Sequence, residues 1–423
     1  MRSGRSSSRF LGVARGREWF AGTGSGSHSG VTTVEIGVHS VSRMRSRRML
    51  VVSIGLVAVV VAACGGVAES DTSVKASAVA ISFGDFVSKG EVTYPDGDRP
   101  APLVVLVGGS GPEDLNADDA SEGATSRGHL FADISSSLAR QGFAALRYNK
   151  HYVNGLGEVD PRFATDLTMT QLVDDVRSAV RAVGNDPRID SRRVYLFGWS
   201  EGTTVVAAAA QGMPNLCGVI VQGAVGIPWR DGLIAQWERV VRPYLRNFAV
   251  DGSVGAAELR RAWHGDGGVV AHELVSVLAD DIESEQSALN PAFDIDGNSR
   301  IDLDNELPTA AVKFVDEQLA GGIFHLYGAP STLPDVSAQA AALRDIPFLT
   351  LHGENDSNVS VEAAIRIDKA LADNGSRDHT LRTYPRSGHS LSEAVDLQHD
   401  PIGPIQPQPL ADLGQWLRNH EQR

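Results

Sequence analysis

The chain has 423 residues, 42% of them hydrophobic and 21% charged, with 38 Lys and Arg against 52 Asp and Glu for a net charge of −14. That balance excludes a disordered or fibrous chain and leaves ample length for a large core. The charge is unevenly placed: residues 1–50 hold nine arginines and two acids, +7, which leaves −21 on the rest and argues against nucleic acid and anionic lipid headgroups as partners.

Residues 1–43 are rich in Ser, Gly and Arg with no sustained periodicity, and read as a disordered or mis-called extension, translation starting at Met44. Met44-Arg45-Ser46-Arg47-Arg48 is a basic start, and the run from Met49 to Ala63 is almost wholly apolar. It is short for a membrane span and ends in Val61-Ala62-Ala63-Cys64. Residues 44–64 therefore read as a secretory signal. Their end resembles the lipobox of bacterial lipoproteins, in which the cysteine (here Cys64) becomes the lipidated first residue. Residues 65–76 read as a tether. With Cys64 acylated, Cys217 is the one other cysteine, expected in a buried strand, and no disulfide is possible.

Residues 77–228 alternate strand and helix patterns, which predicts a mostly parallel, doubly wound α/β sheet. Ala101–Val107 reads as a strand, Gly108-Gly109-Ser110-Gly111-Pro112 as its loop, 131–141 as a helix, 143–148 as a strand and 170–183 as a helix with apolar residues at helical spacing. The apolar run Val194–Phe197 then leads into Gly198-Trp199-Ser200-Glu201-Gly202 and a small-residue helix. A tight strand–turn–helix needs small residues on either side of the serine, and it holds Ser200 up where a base can reach it.

The partners expected for such a serine follow in order. Asp356 lies just past the strand Pro347–Leu351, and His389 follows a strand over 379–385, beside Gly388. All three sit at C-terminal strand ends, where open α/β sheets place their sites. Glu354 and His151 are the rivals for acid and base; His352, inside a strand, reads as a packed core residue. The amides of Glu201 and Ser110 are the expected oxyanion donors.

These stretches, with Leu146-Arg147-Tyr148-Asn149-Lys150 and Ser387-Gly388-His389-Ser390, resemble bacterial α/β-hydrolases of the dienelactone-hydrolase-like and serine-aminopeptidase-like group. The resemblance spans roughly residues 75–230 and 340–420. It implies the α/β-hydrolase fold and a Ser200–Asp356–His389 triad that needs no cofactor. The group commonly carries Asp-Lys-Arg-Gly after its Arg-Tyr, where this chain has Asn149-Lys150-His151-Tyr152, a loop that helps shape the pocket floor.

Alternation stops over 229–345, read as an inserted helical lid, and the second core part follows at 346–423. Within the insertion, Asp294-Ile295-Asp296-Gly297-Asn298-Ser299-Arg300-Ile301-Asp302 resembles a calcium loop, with Asp294, Asp296, Asn298, Arg300 and Asp302 as candidate ligands. Ser299 replaces the usual glycine, Asn305 stands where a bidentate Glu is usual, and Glu306 is one step late. The expectation is an exported serine hydrolase, lipid-anchored to the outer face of the cell membrane, that cleaves small acyl esters. An exopeptidase or amidase, an acyltransferase, and a binding lipoprotein are the alternatives.

Overall fold

The structure is a computed structural model and describes residues 74–421, apart from 96, 120–127, 214–215, 323 and 331. The expected extension 1–43, the signal segment 44–64 and Cys64 lie outside the described residues. Among the described residues no helix is long and apolar enough to cross a membrane.

The chain opens with a hairpin, β1 (Val74–Ser82) and β2 (Val87–Pro95), and then enters β3 (Ala101–Val107). The expected tether thus ends by residue 73, because Val74-Lys75-Ala76 already pair with Pro95-Tyr94-Thr93. Next come α1 (Leu130–Arg140), β4 (Ala144–Tyr148), the short β5 (Val153–Gly155) and β6 (Glu158–Val159), and α2 (Met169–Val183). β7 (Ile189–Trp199), α3 (Glu201–Ala210) and β8 (Leu216–Gln222) complete the first part. The α2 boundary is set by a capping box, in which Gln171 N–H donates to Thr168 Oγ1 and Thr168 N–H to Gln171 Oε1.

The insertion holds α4 (Trp229–Gln236), α5 (Arg242–Arg246), β9 (Ser253–Val254), α6 (Ala256–Trp263), α7 (Val269–Ser276), β10 (Ile301–Asp302), α8 (Leu307–Gly321) and α9 (Ala340–Leu343). The chain then returns through β11 (Phe348–Gly353), α10 (Val361–Asp373), β12 (His379–Tyr384) and α11 (Pro407–Glu421).

Eight strands form one sheet in the order β1-β2-β4-β3-β7-β8-β11-β12. β1, β2 and β4 pair antiparallel; from β4 through β12 every pairing is parallel. This is the α/β-hydrolase architecture. β3 is buried along its whole length, as a parallel strand covered on both faces must be, and so it reads as an unbroken apolar run. One sheet face packs Val105, Leu196 and Val221 against α2, α3 and α10; the other packs Leu106, Phe197 and Leu351 against α1 and α11.

The insertion has its own core, in which Trp237 lies 5.3 Å from Phe293 and 5.8 Å from Phe314, ring centre to ring centre. Full burial of Phe293 stabilises the insertion by about 1.5–3 kcal/mol. Residues 326–343 depart from the expected lid. Leu326, Val336, Ala340 and Leu343 join the core under the sheet, and Val336 N–H donates to Val225 carbonyl at 2.9 Å. Cys217 also departs from expectation: it is half-buried, because it enters β8 near the strand's N-terminal end rather than its middle.

Candidate active site

Ser200 stands between β7 and α3 with φ 52° and ψ −119°, a left-handed conformation that costs a non-glycine residue energy. The geometry leaves no room for side chains nearby. A Cβ at Gly198 would run into the Gly202 backbone, and one at Gly202 into the carbonyls of Val107 and Gly108. Both glycines expected from the motif are therefore required by close backbone approach. α3 is built of small buried residues, so it lies tight on the sheet and points its first amides at the turn. The Glu201 amide belongs to the first helical turn, whose N–H groups have no intrahelical acceptor.

Asp356 and His389, 33 residues apart, meet: His389 Nδ1 lies 2.8 Å from Asp356 Oδ2, and both side chains are buried. Nδ1 is thereby committed, which leaves Nε2 as the basic nitrogen. Burial alone would lower the His389 pKa, but the adjacent Asp356 charge and hydrogen bond outweigh it, so the pKa is raised. Burial likewise works against the Asp356 carboxylate, yet its pKa is lowered, chiefly by His389.

The rival residues lie elsewhere. His151 pairs with Asp175 at 2.8 Å and stacks between Phe83 and Phe86. Glu354 is exposed and accepts from Thr383 Oγ1. His352 is fully buried, as expected, but it also approaches Asp356, with Nε2 3.4 Å from Oδ2; burial lowers its pKa.

Three supporting residues were not read from the sequence. Asp400, 1% exposed, accepts from the His389 amide at 3.1 Å and from both the amide and hydroxyl of Ser357 at 2.9 Å. It thus ties the acid loop to the base loop. Burial and the neighbouring Asp356 push its carboxyl up to about 6. Arg239 donates to the Asp356 carbonyl at 3.0 Å from the π-helical turn Trp237–Val241 that links α4 to α5. Glu273, on α7, keeps solvent contact yet is crowded by its surroundings, which with the nearby Asp119 push its carboxyl up to about 7 against the pull of His389. Asp400 and Arg239 act across stretches of chain with no common period; Glu273 is one acid among 52 acidic residues.

The loop after β3 flanks the serine, since a Cβ at Gly109 would lie 3.2 Å from Ser200 Cβ. Gly109 N–H is taken by Glu113 Oε2 at 2.7 Å, so the Ser110 amide is the loop's candidate oxyanion donor, beside that of Glu201.

In the insertion's 294–306 loop the carboxylates of Asp294, Asp296 and Glu306 come together, with ligand oxygens within 4.8 Å of one another. Glu306, one step late in the sequence, thus joins the two aspartates. Ser299 adopts φ 65°, the turn a glycine usually makes. Like these three carboxylates, which accept from the amides of Ser299, Asn298, Ile295, Asp296 and Asp302, the other candidates are engaged in the loop's own turns or beyond it. Asn298 Oδ1 accepts from the Arg300 amide, Asp302 Oδ1 from those of Asp304 and Asn305, and the Arg300 side chain reaches Ser253.

The family model described as "Serine aminopeptidase, S33" matches residues 120–292, and that of the "Prolyl oligopeptidase family" matches 326–400. Esterase EstD of Thermotoga maritima is 36% identical over 123 residues, which is 29% of this chain and 27% of that protein. Proline iminopeptidase of Mycobacterium smegmatis superposes with a TM-score of 0.46 at 16% identity, covering 82% of this chain and 99% of that one. The esterase domain of a Rhodothermus marinus protein gives 0.40 at 16% identity, covering 82% and 98%. The fold and the partial sequence matches support a hydrolase of the α/β-hydrolase type, akin to esterases and peptidases.

Proposed function

We propose that the protein hydrolyses carboxylic esters through an acyl-enzyme on Ser200. The observation that carries this reading is the 2.8 Å pairing of His389 Nδ1 with Asp356, in a chain that also raises Ser200 on a strained elbow. His389 Nε2 takes the Ser200 proton as Oγ attacks the substrate carbonyl. The Glu201 and Ser110 amides receive the negative charge that develops on the carbonyl oxygen. The protonated His389 then gives its proton to the departing alcohol. Water, activated in the same way, releases the acid and restores the serine. Asp356 holds the ring in the required tautomer and stabilises its cation.

A second reading, an exopeptidase or amidase, is favoured by one observation. The acid Glu273 interacts electrostatically with His389, and a carboxylate there suits a protonated amine on the acyl group. A panel of neutral acyl esters and aminoacyl anilides separates the two. The ester reading expects kcat/KM to be larger for the neutral esters; faster cleavage of aminoacyl anilides overturns it.

The site of action belongs to the same proposal: the mature chain begins at an acylated Cys64 and is held at the outer membrane face. The support is the sequence of residues 44–64. Intact-mass spectrometry of the membrane fraction is expected to find a diacylglyceryl-modified Cys64 at the N-terminus. A soluble protein that keeps residues 1–43 overturns it.

A further inference from the structure

Lys150 keeps the lysine of the family pattern between departures at Asn149 and His151, and its side chain is buried, with 7% exposure. Its ammonium has three N–H donors and finds three acceptors: the carbonyl of Gly109, the carbonyl of Gly111 at 3.0 Å, and Glu201 Oε1 at 2.8 Å. The other Glu201 oxygen, Oε2, accepts from Tyr327 hydroxyl at 2.7 Å. Tyr327 arrives from the inserted segment and stacks on Trp229, the residue that opens α4, with ring centres 4.1 Å apart and planes 10° from parallel. Beneath this network lies a small cavity bounded by Gly108, Glu113, Lys150, Asp175, Glu201 and Val205.

The geometry of a peptide unit gives these contacts a consequence. The Gly109 carbonyl and the Ser110 N–H belong to one planar trans peptide and point in opposite directions. A lysine that draws the carbonyl inward turns the Ser110 N–H outward. The same lysine grips the side chain of Glu201, whose amide is the other candidate oxyanion donor. One buried cation thus holds both the peptide unit that carries the Ser110 N–H and the side chain of Glu201. Glu113, the remaining acid beside Lys150, has its carboxyl pushed up to about 8 by burial, partly offset by the Lys150 charge. That rise favours its neutral form, while Lys150 and Glu201 make the buried ion pair at 2.8 Å.

We propose that Lys150 is a positioning residue that orients the oxyanion donors of Ser110 and Glu201, and that Tyr327 ties this hold to the inserted segment. The proposal rests on the acyl-enzyme reading above. Removing Lys150 alone would strand the buried Glu201 carboxylate and risk unfolding, so the test uses Lys150→Met/Glu201→Gln, which removes both charges and keeps an acceptor for Tyr327.

Two measurements on the full protein decide it. Hydrogen exchange at the amides of residues 109–111 is expected to quicken, while β3 and β7 keep their protection. On the best ester substrate, kcat is expected to fall about 100-fold, the loss typical of one oxyanion donor, with KM changed less than about threefold. A merely structural Lys150 would lower the melting temperature yet leave kcat per folded molecule and loop exchange unchanged; that result overturns the proposal. A wild-type protein that a fluorophosphonate fails to label sinks the hydrolase reading instead, and loop exchange in the double variant still decides the hold of Lys150.

Discussion

Replacing Ser200 by alanine is expected to abolish fluorophosphonate labelling and to lower kcat by a factor on the order of 10⁶, because the nucleophile and its base act as one unit. The fold should survive, since alanine meets the same backbone constraint at φ 52° and fills less space. Ser200→Gly separates chemistry from strain more sharply. It should be equally inert, yet more stable than Ser200→Ala by about 1 kcal/mol, because glycine enters the left-handed region without steric cost. Activity and stability then move in opposite directions at one position, which is the mark of a strained functional residue. The control is His151→Ala. That ring packs between Phe83 and Phe86 and pairs with Asp175, whose carboxyl burial pushes up to about 6. Its loss should lower the melting temperature and leave kcat per folded molecule nearly intact. Turnover in Ser200→Ala within tenfold of wild type, or a kcat collapse in His151→Ala, would show that the base and nucleophile named here are wrong.

How much of this was legible in the sequence follows from what each residue answers to. β3, the Val194–Phe197 half of β7 and most of β11 lie in the middle of a parallel sheet covered on both faces, so they are buried, mostly apolar, and announce themselves as runs. The serine turn is equally visible, because Gly198 and Gly202 answer to a steric demand only small residues meet. Asp356 and His389 could be ordered because each closes a strand. The β1–β2 hairpin was hidden: β1 sits at the sheet edge, is mostly exposed, and carries Lys75, Ser77 and Ser82. The insertion was visible only as a loss of alternation. Its helices bury their own core, and no change of pattern marks residues 326–343, which leave that core for the one beneath the sheet. The roles of Lys150 and Asp400 were beyond reach for a further reason. A buried charge is chosen by the acceptors that surround it, and those of Lys150 come from positions 109, 111 and 201. No local pattern encodes such a set.

Asp356→Asn should lower kcat by about 10⁴ while leaving KM close to wild type, since an amide can donate to His389 Nδ1 and so favours the tautomer with its proton on Nε2, where the base is needed. The wild-type pair also fixes the sign of two pH effects. Free histidine titrates near 6.5 and free aspartate near 3.8; in the folded protein the first is raised and the second lowered. A raised His389 adds stability that is complete below 6.5 and is lost as pH rises through its folded value. A lowered Asp356 adds stability that is complete above 3.8 and is lost as pH falls through its folded value. The pair therefore stabilises most between about 4 and 6.5. Chemistry needs the opposite state, a neutral His389, so kcat/KM should fall as pH drops through the raised His389 value. The pH of greatest activity must then lie on the alkaline side of the window in which the pair contributes most to stability. In Asp356→Asn the charge that raised His389 is gone while burial remains. The acidic limb of the residual activity should move to lower pH, and the extra stability between pH 4 and 6.5 should vanish from melting curves. An acidic limb that stays in place in Asp356→Asn would mean that some other group sets it, and Asp356 would lose its role as the partner of the base.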